Sequence, residues 1–375
     1  MTDLRVVRLA RLIAEYCVAI RRGDRVYLQA GPEAYPLAAA LVEETILRGG
    51  MPHISGGSPN HLDLVPGATE FLLKHGSDEQ LDYINPIEEL VTSQFDVRIA
   101  VRAASNTQSL SGVDPERLRR YQAAHRALSE TFMRRQAAGE LRWCVTQFPT
   151  DAYAQEAAMS LREYEDFVYA AVRVDDPDPI ARWRETEASQ QKLVDWLAGK
   201  RRIHITGPNC DLEVGIEGRT FENSDGHHNM PSGEIFTGPQ ESVTEGWIKF
   251  TYPAIYQQRA AHDVRLEFAG GKVARATASR GEDFLLSVLD TDEGSRTLGE
   301  FAFGMNYGIT RFTGNILFDE KLGGTIHVAL GAAYPNTGGK NRSGVHWDMI
   351  CDTRDGTEVT VDGEPFYRNG EFLAR

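Results

Sequence analysis

A chain of 375 residues, 41% hydrophobic and 25% charged, is long enough for two domains with a core in each. A formal net charge of −14 argues against nucleic acid as a partner, because phosphate binding needs a concentrated basic patch and no Lys/Arg grouping here supplies one. Cys17, Cys144, Cys210 and Cys351 form no CxxC pair, which sets aside a disulfide framework, a zinc ribbon and a redox motif; with no export signal and no apolar run near the roughly 18 residues that span a bilayer, a cytoplasmic protein without membrane segments is expected.

From Leu4 to Ile20 the residues Leu9, Leu12, Ile13, Tyr16 and Cys17 recur at helical spacing, and Gly23 follows as a stop. A strand is predicted over Arg25–Ala30, a helix over Tyr35–Leu47 ended by Gly49 and Gly50, and a strand over Met51–Ile54. This alternation is the mark of a parallel α/β layer. Val97–Val101 and Leu141–Gln147 read as further strands, with one long helical pattern from Pro115 to Ala137 between them. Residues 1–195 are therefore assigned to an α/β N-terminal domain. Glu163–Lys200 is mostly helical, with a turn at Asp175–Pro179, and leads into the second domain.

Residues 196–375 read as a strand-rich α+β catalytic domain of antiparallel character. Short, often alternating segments occur at Ile203–Ile205, Leu212–Ile216, Trp247–Tyr252, Gly324–Leu330, Val345–Ile350 and Glu358–Val361. Val264–Phe268 and Val273–Thr277, separated by Ala269–Lys272, form a hairpin with a glycine turn.

The chemistry lies in this half. In Val345–Ile350 strand alternation sends His346 and Asp348 to one face and Val345, Trp347 and Met349 to the other. In Thr325–Leu330, His327 stands opposite Ile326, Val328 and Leu330, between the small residues Thr325 and Ala329. Glu300 sits in the apolar run Leu298–Gly304, where an unpaired carboxylate is costly. Glu234 follows a Pro-Ser-Gly turn and is expected to be presented from a loop. Each alone reads more simply as a salt bridge or a half-buried histidine. Together, two Glu, two His and one Asp without cysteine form a donor set suited to two hydrolytic divalent ions, such as Zn, Co, Mn or Mg.

The runs NMPSGEIFTGP (229–239), LGEFAFG (298–304), DEKLGGTIHVALGAAY (319–334) and NRSGVHWDMI (341–350), in this order and at these separations, resemble the thermophilic metallo-aminopeptidase family M29. RRGDRVYLQAGPEAYPLAAALVEE (21–44) and AAMSLREYEDFVYAA (157–171) extend the resemblance over nearly the whole chain. The resemblance implies dinuclear metal-dependent release of N-terminal residues from unblocked peptides, usually by a homodimer. It implies Glu234, Glu300, His327, His346 and Asp348 as metal ligands and Tyr334 as the catalytic tyrosine; a carboxylate near the water should act as general base, for which Glu234 and Glu300 are both candidates. The run PNTGGKNRSG (335–344) departs from the family's pattern, which bears on substrate preference.

Two other readings follow from the same residues. His327, His346 and Asp348 form a 2-His-1-carboxylate set suited to a mononuclear non-haem Fe(II) dioxygenase. A binding protein that keeps the scaffold without turnover is the non-catalytic reading. His227 and His228 are placed at a pocket edge, and Asp319, Glu320 and Lys321 at a solvated turn with a local ion pair and no chemistry.

Overall fold

A computed structural model describes residues 3–56, 65 and 67–373. The described chain divides into two compact units, one of residues up to Ile180 together with Gly226–Pro231, the other of Ala181–Asp225 and the rest from Ser232.

The first unit is built on a five-stranded parallel sheet in the order Met51–Ser55, Arg25–Ala30, Val97–Arg102, Arg142–Gln147, Asn229–Met230. Arg25–Ala30 is buried at every position after the first, as a central parallel strand covered on both faces should be. The first helix, Leu4–Leu12, starts at Asp3, whose carboxylate accepts the Arg5 backbone N–H at 2.9 Å, and buries Val6, Leu9, Ala10 and Leu12. It widens into a π turn at Ile13–Cys17, so the helical pattern read to Ile20 closes earlier.

The pattern read as one helix from Pro115 to Ala137 is two, Pro115–Ala124 and Arg126–Ala137. His125 between them leaves helical geometry (ψ 3°), with its Nδ1 2.8 Å from the Tyr121 carbonyl. The helices Ala68–His75, Asp78–Asp82 and Pro86–Gln94 were not anticipated. They carried local signals: Ser77 and Gln80 form a capping box, and Asn85 caps a helix with proline in its first turn.

The second unit begins with most of the helix Pro179–Leu197, which sequence left in the N-terminal half; its Leu193 and Leu197 enter the core of the strand-rich unit. That core lies between an eight-stranded and a five-stranded antiparallel sheet. The glycine-turn hairpin is present as Arg265–Ala269 paired with Lys272–Thr277. The five-stranded sheet runs in the order His346–Asp352, Thr325–Gly331, Leu298–Gly304, Glu234–Thr237, Glu222–Ser224. Its inner face buries Phe301, Phe303, Val328, Leu330, Trp347 and Met349. Each contributes roughly 1.5–3 kcal/mol relative to exposure, so the sheet is a rigid platform for its opposite face.

All four cysteines are buried thiols. Among the described residues no helix is long and apolar enough to cross a membrane.

Candidate metal centre

The face of the five-stranded sheet turned away from the core carries the predicted polar residues. Pairing register sets them side by side: Glu234 lies opposite Gly304, Glu300 opposite Ala329, Ala329 opposite Asp348, and Gly331 opposite His346. Small partners leave space for the long side chains between them.

Glu300 reaches this face through an irregularity. Leu298, Phe301 and Phe303 all enter the core, which strict alternation forbids. A bulge between Leu298 and Glu300 inserts Gly299 and restores the phase, so that Glu300 points outward while Phe301 points in. A Cβ at Gly299 would stand 2.2 Å from the Ala332 carbonyl oxygen, so only glycine fits there.

Glu234 opens the strand Glu234–Thr237 and does not hang from a loop as expected. The Gln190 side-chain amide, fully buried, donates to the Glu234 carbonyl at 3.2 Å and to Asn223 Oδ1 at 2.6 Å, which ties this strand end to the long helix.

The five side chains converge in two groups that share one member. Glu234, Glu300 and His327 bring one donor atom each within 4.8 Å of one another, and so do Glu300, His346 and Asp348. His327 Nε2 is 3.3 Å from Glu300 Oε1 and 3.6 Å from Glu234 Oε2, while His346 Nε2 is 3.4 Å from Glu300 Oε2 and 3.6 Å from Asp348 Oδ1. The two oxygens of Glu300 thus face different histidines. The trio His327, His346 and Asp348 forms no group of its own among the described residues.

The protonation chemistry of the cluster asks for a cation. His346 Nδ1 lies 2.9 Å from the Ala332 carbonyl, which can only accept, so Nδ1 carries the proton and Nε2 of the neutral ring is a lone pair aimed at two carboxylates. Three acceptors around one point hold together only with a proton or a metal between them. With protein groups alone, burial pulls the His346 pKa down, but Asp348 and Glu300 outweigh it and raise it to about 10. His327 follows the same balance, burial against the Glu300 hydrogen bond and the Glu234 charge, and rises to about 9. Burial lifts Glu300, yet the two histidines overcome it and hold the carboxyl down to about 2. Burial dominates at Glu234, raised to about 7 against the pull of Lys321, and at Asp348, raised to about 6 despite His346. Glu234 Oε2 and His327 Nδ1 are buried with no hydrogen-bond partner among the described residues. A set of imidazole and carboxylate donors with orphaned polar atoms fits one or more divalent ions.

Asp319, Glu320 and Lys321 are not a solvated turn. Lys321 is fully buried, its Nζ paired with Glu320 and 3.4 Å from Glu234 Oε1. Its charge is held well above the usual lysine range because Glu234 and Glu320 outweigh the cost of burial. Asp319 is buried too, accepting from the Thr313 N–H at 2.7 Å and the Thr313 hydroxyl at 2.9 Å, and burial raises its pKa to about 7. Lys321 and Glu320 are the members of the site that sequence reasoning missed.

Tyr334 follows the His327 strand and lies beside the cluster, its ring 5.4 Å from that of His346 and 5.5 Å from that of Phe236. Burial and the charges of Glu300 and Asp348 push its pKa up, so it remains a phenol that can donate. His227 and His228 join neither donor group; within the first unit they pack against the rings of Tyr16 and Trp143.

The model of a family described as thermophilic metalloprotease (M29) matches residues 2–372. Aminopeptidase 2 of Geobacillus stearothermophilus is 26% identical, with 97% of each chain covered. Aminopeptidase T of Thermus aquaticus is 29% identical over 74% of this chain and 76% of its own. Among solved structures, wild-type AmpT from Thermus thermophilus superposes with a TM-score of 0.86 at 23% identity over the full length of both chains. The 2,5-dihydroxypyridine dioxygenase of Pseudomonas putida KT2440 superposes with a TM-score of 0.57 at 11% identity, covering 100% of this chain and 99% of its own. Both structural matches speak to the fold alone.

Proposed function

The chain belongs to the M29 family of thermophilic metalloproteases, and from that premise we propose that it is an aminopeptidase whose two metal ions share Glu300 and which hydrolyses the first peptide bond of unblocked peptides. The observation that carries the reading is the pair of donor groups joined at one carboxylate, each oxygen of which faces its own histidine. Glu234 and His327 would hold one ion and His346 and Asp348 the other, with Glu300 available to both.

Divalent ions bound there, zinc, cobalt, manganese or magnesium, supply Lewis acidity toward the scissile carbonyl, a water acidified toward neutral pH, and a seat for the free α-amino group. The chain's own groups do the rest. Tyr334, whose hydroxyl has no hydrogen-bond partner among the described residues, donates to the carbonyl oxygen as negative charge develops on it. Glu300 is pinned between two imidazoles and acts as a ligand. Lys321 holds Glu234 Oε1 in place, so Oε2, free of hydrogen bonds, would be the oxygen that faces the ion, and the water proton would be taken by a carboxylate of the cluster, Glu234 or Glu300. A homodimer in the cytoplasm accompanies this reading and is checked by light scattering and cell fractionation.

The grouping disfavours the iron-dioxygenase alternative. Its three ligands would have to close on one ion, whereas the two histidines fall in different groups. The test is release of the N-terminal residue from a peptide and from its N-acetylated twin, before and after chelation. Cleavage of the unblocked peptide only, lost on chelation and restored by metal, supports the proposal. Equal cleavage of both peptides, or full activity after exhaustive chelation, contradicts it.

A further inference from the structure

One face of the parallel sheet carries groups that its covering helices do not satisfy. Along Val97–Arg102, Val97, Ile99 and Val101 are buried on one side, while Arg98, Ala100 and Arg102 point to the other. In register beside them stand Gln29, opposite Ala100, and Trp143, opposite Arg98. The helices Pro115–Ala124 and Arg126–Ala137 bury no apolar side chain. Between them and the sheet is a cavity of about 660 Å³, lined by Gln29, Glu88, Arg98, His125, Phe132 and Trp143 among others. That volume falls in the range of small-molecule sites.

The polar groups of this cavity sort by sign. Glu88 Oε2 and His125 Nε2 are buried, have no hydrogen-bond partner among the described residues, and stand 3.9 Å apart. The His125 Nδ1 lies 2.8 Å from the Tyr121 carbonyl and so carries the ring's proton, which makes Nε2 of the neutral ring a second acceptor facing the Glu88 carboxylate. Two acceptors at that spacing need a proton on one of them or a donor that serves both, and an ammonium, with three N–H groups, is such a donor.

The same cavity also offers donors. Trp143 Nε1–H is buried and unpartnered among the described residues. Arg98 spends Nε on Gln29 Oε1 at 2.8 Å, leaving its two terminal nitrogens for another acceptor. Burial pushes the Glu88 carboxyl up and the Arg98 guanidinium down, so neither charge is fully compensated by the protein. The rings of Phe132 and Tyr121, with Leu128 and Met133, supply an apolar wall.

We propose that this cavity binds a small zwitterion with an apolar side chain, an α-amino acid or short peptide, its carboxylate on Arg98 and the Trp143 N–H and its ammonium between Glu88 and His125. Phosphate is the wrong ligand, because the two acceptors would face it. The site lies wholly within the first unit and uses none of the metal-centre residues, so its fate is independent of the peptidase reading.

The test is calorimetric titration of the chelated full-length protein with L-phenylalanine, N-acetyl-L-phenylalanine, phenethylamine and inorganic phosphate. Phenylalanine is expected to bind once per chain, and removal of either charge from the ligand to weaken it roughly tenfold or more. Arg98→Met and Glu88→Gln should each do the same. Ser129→Trp, which fills the cavity from an exposed helix position and leaves the charged groups in place, should abolish binding even if those two variants fold poorly. No binding of phenylalanine at millimolar concentration, equal binding of the singly charged analogues, preferential binding of phosphate, or binding unchanged in Ser129→Trp would each overturn the proposal.

Discussion

Lys321→Met removes the one lysine or arginine that, among the described residues, is paired with a carboxylate of the metal centre. The side chain is fully buried, and its Nζ lies 3.4 Å from Glu234 Oε1 and pairs with Glu320. Methionine conserves the volume but takes away the positive charge that Glu234 and Glu320 share, leaving Glu234 only His327 for compensation. Breaking a buried pair from one side costs about 3–5 kcal/mol. For a unit of this size each kcal/mol shifts Tm by roughly 2–4 °C, so a drop on the order of 6–20 °C is expected in chelated protein. Bound metal restores positive charge at Glu234, so the deficit should shrink when the protein is saturated with divalent ion. Scanning calorimetry of native and variant protein, with chelator and with metal, measures both effects. A Tm within about 2 °C of native in chelator, or a deficit of the same size with and without metal, would refute the reasoning that Lys321 serves the charge balance of the cluster.

Four further outcomes are expected. Glu300→Gln removes the carboxylate common to both donor groups and should weaken metal binding at both positions, by roughly tenfold or more each, whereas Glu234→Gln and Asp348→Asn should each spare one; metal content after equilibrium dialysis distinguishes them. Tyr334→Phe should lower kcat about 10²–10³-fold with metal content unchanged, as loss of a single oxyanion donor does; steady-state kinetics beside metal analysis checks it. With His327 raised to about 9 and His346 to about 10 in the metal-free cluster, both rings are protonated at pH 7, and metal must displace those protons. Calorimetry in buffers of different ionisation enthalpy should therefore show net proton release on binding. Because these folded-state values exceed the ordinary 6.5, the stability they contribute is complete below pH 6.5 and is lost as pH rises through 9 to 10. The urea midpoint of chelated protein should fall over that window.

The strand alternation that places His346 and Asp348 opposite Trp347 and Met349, and His327 opposite Ile326 and Val328, could be read directly, because side-chain direction in a strand depends on local backbone alone. The parallel character of the first unit was legible from its helix–strand rhythm. Glu300 was picked out by its apolar neighbours, but not the bulge that aims it, since Gly299 is required by the approach of the Ala332 carbonyl, just past the end of the Thr325–Gly331 strand. Lys321 was misread because a run of three charges ordinarily lies in water. Its burial depends on Glu234, 87 positions away in sequence, and no local pattern reports such a partner. The polar cavity of the first unit was hidden likewise: Arg98 and Glu88 look like ordinary surface residues until the sheet and its helices enclose them.

The most direct test of the account is to titrate chelated protein with a divalent metal while following release of the N-terminal residue from an unblocked peptide. Two ions sharing Glu300 predict activity that saturates at about two equivalents per chain, with no release from the N-acetylated peptide at any point. Saturation at one equivalent, or turnover that needs iron and oxygen and leaves the peptide intact, would contradict it.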